Sequence, residues 1–96
     1  MEELHLTWRE DIDALQFDAG NGGHCFVHRF ALRTLLGARP SPDECLAFAR
    51  RNAPALLSAA RQRIEAGEAP PQRNFHLDSR QIRRSPEHRR TPIIML

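Results

Sequence analysis

Apolar and polar residues change rhythm several times along this chain. Leu4, Leu6 and Trp8 alternate with His5 and Thr7, a two-residue period that suits a short strand or an extended arm. Alternation resumes from Asp13 to Ala19, with Leu15 and Phe17 on one side. Gly20-Asn21-Gly22-Gly23 follows, and then a second extended segment from His24 to about Arg29. Asn-Gly between alternating segments predicts a hairpin, because both residues tolerate positive φ.

A one-residue slip in strand pairing turns every side chain to the other face. A three-residue loop sets Phe17 opposite Cys25 and Leu15 opposite Val27, gathering these apolar residues on one side. A four-residue loop sets Phe17 opposite Phe26 and brings His24 and His28 beside them. The first register is preferred, because Gln16, Asp18, His24 and His28 then share the wetter face. Phe26 is left as the odd apolar residue there, a candidate contact for a partner or a helix.

The period then lengthens. Phe30 to Leu36 reads as a short helix with Leu32, Leu35 and Leu36 inward and Gly37 as its stop. Ser41-Pro42-Asp43-Glu44 is a helix start: Ser41 caps, Pro42 needs no N–H in the first turn, and Glu44 completes a capping box. Cys45, Ala49, Ala53, Leu56, Leu57, Ala60 and Ile64 continue at three- and four-residue steps until Gly67. Pro54 interrupts this stretch, and in a helix interior it would cost about 3 kcal/mol. The apolar phase runs through it. One kinked helix is expected, or two nearly collinear ones with Asn52 capping the second.

After the Ala69-Pro70-Pro71 loop, Asn74 to Leu77 suits a third strand with Phe75 and Leu77 inward, and Asp78-Ser79 begins a helical turn toward Ile82. The predicted fold is therefore α+β: an antiparallel hairpin, with a third strand, packed on a short helix and a long kinked one. Residues 1–82 form its single domain. Residues 83–96 form an Arg-rich flexible tail, punctuated by Ser85, Pro86, Thr91 and Pro92 and ending in the apolar Ile93-Ile94-Met95-Leu96.

Length limits what this fold can do. A chain of 96 residues buries roughly 60% of the surface its unfolded form exposes, which leaves a modest core and little room for a large cleft. All 14 basic residues are arginine. Nucleotide bias explains that more simply than selection for bidentate anion binding does, although guanidinium forks suit phosphate and carboxylate alike. Net charge is only +2, but Arg80, Arg83, Arg84, Arg89 and Arg90 cluster near the end, with Glu87 the one acid after Asp78. The acidic Met1-Glu2-Glu3 start carries no secretory pattern, and no apolar run approaches the about 18 residues of a membrane span. A cytoplasmic chain with Cys25 and Cys45 reduced is expected.

Candidate chemistry is sparse. His24-Cys25-x-x-His28 resembles a metal-binding run, but four residues of strand span about 13 Å, and Cys25 faces the other way. A zinc site would have to recruit Cys45 with His5 or His76. Cys45, in a first helical turn, could be an activated thiol, yet it also falls on the apolar stripe and is better explained as core. No Gly-rich phosphate loop, nucleophile elbow or paired carboxylates are visible, so neither catalysis nor a cofactor is expected.

The order of these features resembles a family of short uncharacterised bacterial proteins classed as a domain of unknown function. The likeness rests on Trp8, Leu15-Gln16-Phe17, Asn21-Gly22-Gly23, Cys25-Phe26-Val27, Leu32 to Gly37 and Asp43 to Ala66, within roughly residues 6 to 82. It implies a compact α+β fold and no agreed catalytic residues. Pro54 and the Arg-rich extension after Ile82 depart from the family pattern. The expected function is that of a non-enzymatic accessory protein binding a protein partner or a second copy of itself, with Phe26, Ile93, Ile94 and Leu96 as contacts. The alternative is weak, sequence-independent nucleic-acid binding through Arg80, Arg83, Arg84, Arg89 and Arg90. Such binding would be electrostatic and salt-sensitive, because that stretch has no aromatic residue to stack on bases.

Overall fold

A computed structural model describes residues 5–84. The elements run β1 (Thr7–Arg9), β2 (Ala14–Asp18), β3 (His24–His28), α1 (Arg29–Leu36), α2 (Pro42–Arg51), α3 (Ala53–Glu65), β4 (Phe75–Leu77) and α4 (Ser79–Arg83). The strands form one sheet in the order β1-β2-β3-β4, so the fold is α+β.

The hairpin adopts the preferred register, with Phe17 opposite Cys25 and Leu15 opposite Val27. Thr7–Arg9 adds an antiparallel strand outside β2. Phe75–Leu77 joins the other side of β3, running parallel to it. A parallel neighbour requires a long crossover. Helices α1 to α3 supply it, which places them together on the sheet face lined by Leu15, Phe17, Cys25, Val27, Phe75 and Leu77. These side chains pack with Leu32, Leu35, Cys45, Phe48, Ala49, Leu56, Ala60 and Ile82 into one core. Phe48, not foreseen on the helical stripe, is fully buried in it.

Local signals set most helix ends. Gly37 has φ 78° and donates its N–H to the Arg33 carbonyl, closing α1. The Ser41 hydroxyl accepts from the Glu44 N–H at 3.1 Å, and the Glu44 carboxylate accepts from the Ser41 N–H at 2.9 Å. Asp78 and Gln81 form the same reciprocal cap at α4.

The long helical stretch divides at Asn52, whose φ of −118° and ψ of 26° leave the helical region. Asn52 starts α3 but does not cap it through its side chain. Its buried amide instead donates to the Phe48 carbonyl at 2.9 Å, at the end of α2. Pro54 falls in the first turn of α3, where a missing N–H costs little.

Phe26 is a correction. It does lie on the sheet face opposite the core, yet it is only 6% exposed. The parallel strand explains this: register aligns Thr7, Gln16, Phe26 and His76 in one row across the sheet. The His76 ring tilts against Phe26 at 5.3 Å, and the His24 ring meets it edge-on at 6.5 Å. Phe26 is therefore not available as a partner contact.

Candidate functional site

The thiols belong to the core. Cys25 and Cys45 are both fully buried, and loss of solvation pushes their pKa values up, to about 12 and about 11 respectively. Neither carries an appreciable thiolate at neutral pH. Cys25 points into the core while its strand neighbours His24 and His28 lie on the other face, and His24 pairs with Asp18 at 3.1 Å. Among the described residues, no group of three or more His, Cys, Asp or Glu side chains is placed to hold a metal.

Accessible chemistry gathers where the β1–β2 turn meets the start of α1. Asp13, in the turn, adopts a φ of 53°. Its carbonyl accepts the Arg29 N–H at 3.0 Å, and its carboxylate lies 3.2 Å from Arg29 Nε. The Arg29 guanidinium also stands over the Trp8 ring, 5.2 Å from its centre. Arg29 is thus clamped between the first strand and the turn. On the same turn Arg9 donates twice to Asp11, at 2.9 and 2.7 Å, and that fork holds the Asp11 carboxyl below its ordinary value.

Two exposed apolar residues adjoin the Asp13–Arg29 link in sequence. Ile12 precedes Asp13 and Phe30 follows Arg29; they are 37% and 68% exposed. The Phe30 ring stacks on His28 with centres 5.0 Å apart and a 12° tilt, and His28 Nδ1 caps α1 by accepting the Phe30 N–H at 3.1 Å. To one side of Phe30 is a recess lined by Asp13, Arg29, Arg33 and Arg39. On the other side, a shallower one is lined by His28, Ala31, Thr34, Leu77, Asp78 and Ser79.

No family model, curated protein or solved structure matches this chain. No helix of the described residues is long and apolar enough to cross a membrane.

Of the residues singled out from sequence, Arg80, Arg83 and Arg84 are exposed on α4 and at its end. Helix α4 packs beside α1, and Arg83 Nη2 donates to the Thr34 carbonyl at 3.3 Å. Arg89, Arg90, Ile93, Ile94 and Leu96 lie outside the described residues. Phe30, Arg33 and Arg39 were not foreseen as a group. One signal was present for Phe30: at 3.6 residues per turn it falls on the side of α1 opposite Leu32, Leu35 and Leu36. Nothing in the sequence joined it to Arg39.

Proposed function

We propose that this chain is a small cytoplasmic, non-enzymatic accessory protein that binds a protein partner on the face where the β1–β2 turn meets α1. The observation that carries the reading is Phe30, 68% exposed and stacked on the ring of His28. A pre-ordered aromatic ring loses little conformational freedom on binding. Aromatic and arginine side chains are also those that dominate interface energetics. Arg33 and Arg39 line a recess beside it, and the shallow recess beside Ala31 and Leu77 offers a place for a partner's apolar side chain. The deep burial of both thiols favours a binding role over thiol catalysis.

The test is Phe30→Asp in the full chain. Its exposure predicts an unchanged thermal midpoint, with loss of a co-purifying protein or, where the partner is a second copy, a fall from dimer to monomer mass in light scattering. A wild-type chain that is strictly monomeric and retains no partner overturns the reading.

The exposed arginines of α4 favour a second reading, sequence-independent nucleic-acid binding. Packing beside α1 brings them toward an aromatic surface that the C-terminal stretch itself lacks. Replacing Arg83, Arg84, Arg89 and Arg90 by Gln should abolish low-salt binding to a generic duplex. Retained binding, or none in the wild type, sinks this alternative.

A further inference from the structure

The recess between Asp13, Arg29, Phe30, Arg33 and Arg39 has a volume of about 110 Å³. That is ample space for a tetrahedral oxyanion. Three arginines line it against a single aspartate. Arg29 is committed to Asp13 and to the Trp8 ring. Arg33 and Arg39 remain, both exposed and neither with a side-chain partner among the described residues.

We propose that this recess binds a phosphate monoester, with Arg33 and Arg39 as the phosphate-binding forks and Phe30 as the surface for the esterified group. Charge selects phosphate over carboxylate. Three cations and one anion leave two unbalanced positive charges, and a phosphate monoester carries about −1.5 to −2 at neutral pH. A single carboxylate would leave one cation unmatched. Two guanidinium forks also match the planar pairs of oxygens that a phosphate presents. Arg29, fixed by Asp13 and Trp8, forms the floor. The open ring of Phe30 at the rim favours an ester whose alcohol is flat and aromatic. This site goes beyond the partner-binding reading, because small phosphate esters address it with no macromolecule present.

The experiment is a low-salt calorimetric titration of the full chain with inorganic phosphate, phenyl phosphate and adenosine monophosphate. Both esters are expected to bind more tightly than inorganic phosphate, and the tighter of the two identifies a phenolic or a nucleotide source. Arg33→Gln and Arg39→Gln should each weaken binding about tenfold, with circular dichroism melts unchanged because both residues are exposed. Phe30→Ala should lower ester affinity to that of inorganic phosphate while leaving the latter intact. No saturable binding of any of the three ligands, or binding indifferent to both arginine substitutions, overturns the proposal. An ester preference that survives Phe30→Ala overturns the role given to that ring. A wild-type chain that retains its partner yet binds none of the three ligands separates failure here from failure of the partner reading.

Discussion

The carbonyl oxygen of Arg73 lies so close over Gly23 that a Cβ at position 23 would overlap it. Glycine is required there for space, since Gly23 is not among the glycines with positive φ. The contact presses the hairpin loop onto the segment that leads into β4. Gly23→Ala is therefore expected to destabilise the fold by about 1–3 kcal/mol. Urea denaturation monitored by Trp8 fluorescence would measure it, and a neutral result would mean that the 70–74 loop yields easily.

Asn21 makes the same junction from the polar side. Its amide donates to the carbonyls of Pro70 and Arg73, each at 3.0 Å. Its Oδ1 accepts the Gly23 N–H at 2.9 Å. Asn21→Asp keeps the acceptor, removes both donors, and sets a carboxylate against two carbonyl oxygens. A loss of about 1–3 kcal/mol is expected. Amide exchange should accelerate more in β4 than in α2, and equal acceleration in both would show the effect to be global.

Arg63 secures β4 from the helical side. Its guanidinium donates to the carbonyl of His76, reaches that of Glu68 at 3.5 Å, and stands 5.3 Å from the centre of the Phe75 ring. Arg63→Met should cost about 1–3 kcal/mol through the unpaired carbonyls and the lost ring contact. Arg63→Lys should recover only part of this, since an ammonium is a point charge without the planar fork. Full recovery by lysine would reduce the role of Arg63 to charge alone.

The buried thiols predict alkaline sensitivity. The folded chain holds Cys25 and Cys45 protonated to about 12 and about 11, from an ordinary value of 9.0. Above pH 9 the unfolded chain releases these protons while the folded chain keeps them. Stability is then full below that pH and falls toward pH 11–12, by up to about 1.4 kcal/mol per pH unit for each thiol. Cys45→Ala should flatten the decline between pH 9 and 11. A slope unchanged by the substitution would assign the alkaline loss to other groups. At neutral pH both thiols should react with a disulfide reagent only as fast as the chain opens.

Elements written in local chemistry were legible from the sequence alone. Alternation and the Gly-rich turn predicted the hairpin, though positive φ falls on Gly20 and Gly22 and not on Asn21. The shared apolar face favoured its register, Gly37 predicted the end of α1, and Ser41-Pro42-x-Glu44 the start of α2. Each depends on residues within a few positions, where sequence spacing is nearly spatial spacing. At Asn52 and Pro54 the sequence allowed one kinked helix or two. The Asn52 side chain, bonded back to Phe48, resolved this as two.

Tertiary structure decided what depends on residues distant in the chain. That Phe75–Leu77 pairs parallel with β3 was not readable, because a strand of three residues carries no signal of direction. The parallel pairing placed His76 beside Phe26 and covered a ring that alternation alone left open. The candidate site arose in the same way: Asp13 and Arg29 are 16 positions apart in sequence, and only the folded hairpin brings the turn against the helix start. Sequence spacing specified which residues share a strand or a helix face. Which faces meet, and so which arginines and aromatic rings converge, followed from closing the sheet over its helices.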